Sequence, residues 1–159
     1  MKTINAQAET VSEKPSFRDS FKNKRCLVPA DGFIEWTGNT KEKSPKYINL
    51  KSNKLFGMAG IWANWKRNGE SFKTFSIVTT RANELTGRVH HRMPVILNTN
   101  NYSKWLDPKI SSNQLKPLLL PFPPERMKIR SISKFVNSIE NDCSRCIDPI
   151  EQIDLFSLD

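Results

Sequence analysis

Between Arg25 and Trp36 the chain reads RCLVPADGFIEW, and this stretch limits the fold more than any other. Leu27, Val28, Phe33, Ile34 and Trp36 are strand formers, and the Pro29-Ala30-Asp31-Gly32 interruption predicts a bulge or kink within an extended run. Side chains alternate faces along a strand, so Phe33 and Glu35 share one face and Ile34 and Trp36 the other. Glu35 then occupies a position where an apolar residue would be the easier choice. Two readings follow. The pleat turns the carboxylate to solvent beside an edge strand, or it is held among apolar neighbours. In the second case desolvation raises its pKa and fits it for general acid–base work.

The rest of the chain supplies mostly short strand signals. After Pro15 a short helix is expected, with Ser16 as its N-cap and Phe17 and Phe21 on one face. Gly38 to Ser44 reads as a polar turn, and Lys46–Leu50 and Leu55–Trp62 as a strand pair around Ser52-Asn53. Asn68-Gly69 is the strongest hairpin signal, joining Ile61–Trp65 to Phe72–Thr79. Thr80 is expected to cap a short helix through Leu85, followed by an extended Val89–Leu97. Short helices carrying Trp105 and spanning Ser111 to Leu119 follow, then a strand from Met127 to Ser133. Strands outnumber helices and adjoin through short turns. The class is therefore α+β, with a mainly antiparallel sheet or partly open β-barrel and short flanking helices. The length of 159 residues fits a single domain over 1–159, with a polar tail from about residue 138.

Charge narrows the partners. Lys and Arg exceed Asp and Glu by 25 − 16, a formal +9, which favours a polyanionic partner such as nucleic acid, or an anionic membrane surface. No apolar run approaches membrane-spanning length and no signal peptide is evident, so a cytoplasmic protein without a membrane partner is expected. Three cysteines make an odd count, against a disulfide framework. Cys143 and Cys146 form an isolated Cys-x-x-Cys pair, a weak metal or redox signal, and no metal or other cofactor is expected.

The only two histidines stand in Val89-His90-His91-Arg92-Met93-Pro94. On a strand neighbours point opposite ways, so one histidine at most would face a given pocket, which argues against chelation by the pair. A single imidazole facing a carboxylate is an acid–base or hydrogen-bonding group at neutral pH; a histidine packed in a loop is the alternative. Arg92 shares His90's face if the segment is extended and could grip a phosphate bidentately. Asn5 offers donors and an acceptor for a substrate oxygen, or simply a turn role.

INAxxET, EKPSFRDSFKNKRCLVPADGFIEW, IVTT, VHHRMPVIL and a late S-x-x-VN, in this order and spacing, closely resemble the SOS-response-associated peptidase (SRAP) family, also described as abasic-site processing proteins. The resemblance runs from Ile4 to about Asn137. It implies recognition of abasic sites in single-stranded DNA, with DNA–protein cross-linking through an N-terminal cysteine, an associated autopeptidase activity and a place in the DNA-damage response. By motif, Asn5, Glu35 and His90 match the family's catalytic asparagine, glutamate and histidine. Thr79 and Arg92 match DNA-contacting positions. Trp36 could stack on a base, or serve as a sheet-face aromatic.

Two departures accompany the resemblance. The family's opening Met-Cys-Gly-Arg is absent and residue 2 is Lys2, so the resemblance places the start about a third of the way into the family domain. The covalent step is not expected from this chain alone, and Cys26 reads as a small buried hydrophobe. Gln7 stands where the family carries an arginine, which removes one expected phosphate contact. Other readings are a non-catalytic remnant, a plain basic single-stranded DNA-binding module, a partner polypeptide supplying the N-terminal segment, and self-association through an exposed sheet edge.

Overall fold

The Pro29–Gly32 interruption is a change of sheet. The computed structural model describes residues 4–38 and 43–150, so part of the polar turn expected after Gly38 lies outside the described residues, as does the tail beyond 150. The strands are β1 (Asn5–Gln7), β2 (Arg25–Ala30), β3 (Gly32–Thr37), β4 (Ser44–Leu50), β5 (Phe56–Arg67), β6 (Glu70–Arg81), β7 (Arg92–Pro94), β8 (Ile96–Leu97) and β9 (Met127–Ser131). One sheet runs β1-β6-β5-β2, with β7 paired to β6 and β8 to β5; the other runs β3-β4-β9. Among the described residues only β1 and β6 pair in parallel. The result is a curled, mixed sheet with few short helices, in the expected α+β class.

Asp31 alone separates β2, antiparallel to β5, from β3, antiparallel to β4. This corner carries Glu35 out of the first sheet and into the second. The expected strand pair around Ser52-Asn53 does not form: β4 pairs with β3 and β9, whereas β5 pairs with β2 and β6. Tyr47, Ile48, Asn49 and Leu50 are all buried, so β4 needs cover on both faces and a neighbour on each edge, which one hairpin cannot supply. The hairpin at Asn68-Gly69 forms as expected, with φ of 52° and 82° at the two turn residues. Those angles suit the right-handed twist of a two-residue turn.

Alternation along β5 and β6 makes two cores. Ala59, Ile61 and Val78 face one way and pack with Ala6, Phe21, Trp105 and Leu115. Met58 and Ile77 face the other way, between the sheets, with Ile48, Met93, Met127 and the partly buried Val28 and Phe33. The first core is closed by α1 (Arg18–Asn23), α2 (Tyr102–Leu106) and α3 (Ser112–Leu115). Phe17 rather than Ser16 occupies the N-cap position of α1, with no side-chain cap. The far ends of α1 and α2 are instead tied by Arg25, which is 8% exposed. Its guanidinium donates to the carbonyls of Phe21 at 2.7 Å, Lys22 at 2.5 Å, Trp105 at 2.6 Å and Asp107 at 2.5 Å.

Candidate functional site

Glu35 lies on β3 on the same face as Phe33, which packs against the core between the sheets. It is half-buried, and burial pushes its carboxyl pKa above the ordinary 4.5, while His90 and His91 pull it back down. The carboxylate is therefore within electrostatic reach of both imidazoles. Its cross-strand neighbour Lys46 donates to Ser131 Oγ at 2.7 Å.

The histidine segment differs from the strand expected over Val89–Leu97. Thr80 belongs to β6 and caps nothing. Asn83 does the capping: its Oδ1 accepts from the amides of Leu85 at 3.1 Å and Thr86 at 2.8 Å and from Thr86 Oγ1 at 3.0 Å. A 3₁₀ turn at Thr86–Arg88 follows, and the His90 amide donates to the Thr86 carbonyl at 3.0 Å. Extended pairing starts only at Arg92. Strand alternation therefore does not apply to the two histidines, and their rings sit side by side, 4.3 Å between centroids. His90 Nδ1 lies 3.1 Å from both the amide nitrogen and the carbonyl oxygen of Arg92, which leaves Nε2 as the ring atom available to a bound group.

Arg92 is held as a fork. Its two terminal nitrogens donate to the two oxygens of Glu9, each at 2.9 Å, and one also reaches the Thr79 carbonyl at 2.5 Å and Thr79 Oγ1 at 3.3 Å. The guanidinium holds the Glu9 carboxyl below its ordinary pKa. Asn5 and Gln7 on β1 are in register with Ile77 and Thr79 on β6, so these four side chains share one face, and Asn5 is exposed there. Asn5 is thus in register with Ile77, Thr79 and the Arg92 side chain are hydrogen-bonded, the Arg92 backbone meets His90, and Phe33 and Ile77 pack against the same core between the sheets.

Trp36 sits on the other face of β3. Its Nε1 donates to Asn137 Oδ1 at 2.8 Å, which fixes the indole while leaving it 37% exposed. Glu9 and Asn137 were not singled out from the sequence. Both had a signal, Glu9 as the glutamate of INAxxET and Asn137 in the S-x-x-VN pattern, but the pairing of Glu9 with Arg92 spans 83 residues and leaves no local trace. Asn137→Ala is expected to raise the rotational freedom of Trp36. Its fluorescence anisotropy decay should gain a fast component, measured in a variant retaining only that tryptophan; an unchanged decay would show that the clamp is idle.

The two acidic residues have opposite linkage to pH. The folded pKa of Glu35 is raised, so the folded state holds the proton more tightly. Ionisation then costs stability as pH rises from the unfolded value through the folded one. The folded pKa of Glu9 is lowered, so its contribution is present above the unfolded value and lost as pH falls. Glu35→Gln is expected to raise the Tm at pH 7, with the gain disappearing below about pH 4, under the ordinary glutamate pKa. Thermal melts across this window check the sign.

These features describe a basic protein with a curled two-sheet fold, a half-buried carboxylate in the field of two neighbouring imidazoles, and a guanidinium fork. The chain belongs to the SRAP family: the family model described as SOS response associated peptidase (SRAP) matches residues 1–139. It is 44% identical over 150 residues to the abasic site processing protein YoqW of Bacillus subtilis, covering 92% of this chain and 67% of that one. Against the chicken abasic site processing protein HMCES, identity is 35% over 173 residues, covering 94% of this chain and 51% of the relative. A solved protein from Bacteroides thetaiotaomicron superimposes with a TM-score of 0.84 at 41% identity, covering 93% of this chain and 66% of the other. The chain thus spans about two thirds of its bacterial relatives and half of the vertebrate one.

Proposed function

We propose that this chain recognises abasic sites in single-stranded DNA, with Asn5, Glu35 and His90 handling the sugar and Thr79, Arg92 and Trp36 handling the strand. The supporting observation is the half-buried Glu35 within the field of His90, beside a forked guanidinium in a chain of net charge +9. Relatives named abasic site processing proteins point to the same substrate.

An abasic sugar is a cyclic hemiacetal in equilibrium with its open aldehyde. Opening breaks the bond between the anomeric carbon and the ring oxygen. One proton must reach that oxygen and one must leave the anomeric hydroxyl. His90 Nε2 donates the first and the Glu35 carboxylate takes the second. A carboxyl with a raised pKa is a better base for that step than an ordinary one. Asn5 orients the hydroxyl through its amide. No base occupies the pocket at an abasic position, so the strand is held by phosphate contacts at Arg92 and by stacking on Trp36.

The test is fluorescence anisotropy with a single-stranded oligonucleotide carrying one natural abasic site, against the same oligonucleotide intact. Preference for the abasic strand is expected, together with affinity that falls steeply with salt. Paired Glu35→Ala and His90→Ala substitutions should abolish the preference and leave the salt-dependent component. Equal binding of both strands by the wild type would reduce the chain to a plain basic DNA-binding module.

A further inference from the structure

We infer that the face of the β5–β6 hairpin beyond Asn5 is a stacking track for the nucleotides flanking the site, built on Trp62 and Phe75 and flanked by Lys24 and Lys73. This rests on the reading of the site as one for single-stranded DNA. The track is continuous with the site through β6. Asn5 is in register with Ile77, and Phe75 lies on the same face two residues on, about 7 Å along the strand, which is close to the spacing of one extended nucleotide. Trp62 is directly across from Phe75 on the neighbouring strand, so the two rings belong to one face.

The chemistry of this surface matches a single strand. Phe75 is 58% exposed, and with Trp62, Cys26 and Val28 it borders an open cavity of about 350 Å³. Lys24 Nζ lies 5.4 Å and Lys73 Nζ 5.9 Å from the centroid of the Trp62 ring. An exposed Phe75 ring and a half-buried Trp62 ring bordered by ammonium groups suit a ligand with a flat apolar base on one side and a phosphate on the other. A purely apolar occupant would leave both ammonium groups without use, and a purely ionic one would leave the rings bare. Sequence tolerance is expected, because every base has a π-face.

The test uses the full chain and two sets of single-stranded oligonucleotides. One has an abasic site and no extension on either side, and the other is lengthened by four nucleotides on one side or the other. Wild-type affinity should rise with extension on one side only, by about tenfold per stacked base. Phe75→Ala combined with Lys73→Ala should remove most of that gain. It should leave the preference for abasic over intact strands at minimal length unchanged, because neither residue reaches the sugar pocket. Trp62→Phe, which keeps a ring, should retain part of the gain. The inference is overturned if extension on either side adds nothing, or if the double variant loses affinity equally for short and long strands. It is also overturned if the wild type self-associates through this face and Phe75→Ala abolishes association without touching length dependence, since a polypeptide is then the occupant. Loss of abasic preference with the length dependence intact would instead remove the proposed function and leave the track standing.

Discussion

Arg25→Met is expected to be the most destabilising single change away from the apolar cores, costing about 3–5 kcal/mol. The guanidinium is buried and donates to four backbone carbonyls, two at the end of α1 and two at the end of α2. Those are the carbonyls a helix end leaves without an internal partner. Methionine fills the space and satisfies none of them. Each buried carbonyl left unpaired costs roughly 1–3 kcal/mol, partly recovered where water enters at the Asp107 side. Burial lowers the pKa of the guanidinium, yet arginine remains charged throughout the accessible range. The charge therefore stays in place and the four bonds offset its desolvation. Arg25→Lys should recover little, because an ammonium cannot span carbonyls from two helices in one plane. Urea unfolding with an unchanged m-value and a lower midpoint is the expected reading. A midpoint within experimental error of the wild type would show that water replaces the arginine at these carbonyls.

Arg25 also shows where sequence reading stops. Its neighbours Leu27, Val28, Phe33 and Ile34 announce strands by type alone, and β2 and β3 are where that predicts. The role of Arg25 depends on Trp105 and Asp107, about eighty residues away, which no local pattern reveals. The Pro29–Gly32 break was legible as a break but not as a change of sheet, because backbone torsions at a corner resemble those at a bulge. Asn68-Gly69 was legible in full, since a two-residue turn is set by the residues within it. The pairing of β4 was not, because its partner β9 lies far along the chain.

Glu35, His90 and Arg92 were singled out by residue type, by motif and by the resemblance. Their mutual geometry was not available that way. Reading His90 and His91 as strand neighbours put them on opposite faces. Asn83 replaces that geometry with a capped 3₁₀ turn and brings both rings together. The Arg92–Glu9 fork is purely tertiary, and it alters what Arg92 can be expected to do. A guanidinium already engaged by a carboxylate must exchange that partner for a phosphate.

That exchange yields a pair of opposite expected outcomes. Arg92→Glu should weaken single-stranded DNA binding at least tenfold at low salt, regardless of base sequence, and reduce the salt slope by about one counterion. The reversed charge would face Glu9 across the same gap and add local repulsion to the lost phosphate contact. Glu9→Gln should act the other way. It leaves a neutral hydrogen-bond acceptor beside Arg92, keeps the guanidinium in position against the Thr79 carbonyl, and removes the anion that competes with phosphate. Glu9 is 40% exposed at its side chain, so the ion pair is worth about 0.2–1 kcal/mol, and affinity should rise by a factor of roughly 1.4–5. Lowering the pH should mimic the substitution only partly, because Arg92 holds the Glu9 carboxyl below its ordinary pKa and it protonates late. Anisotropy titrations at three salt concentrations measure both variants. Weaker binding by Glu9→Gln would mean that the carboxylate positions Arg92 for phosphate instead of competing with it. An unchanged affinity in Arg92→Glu would take Arg92 out of the DNA contact altogether.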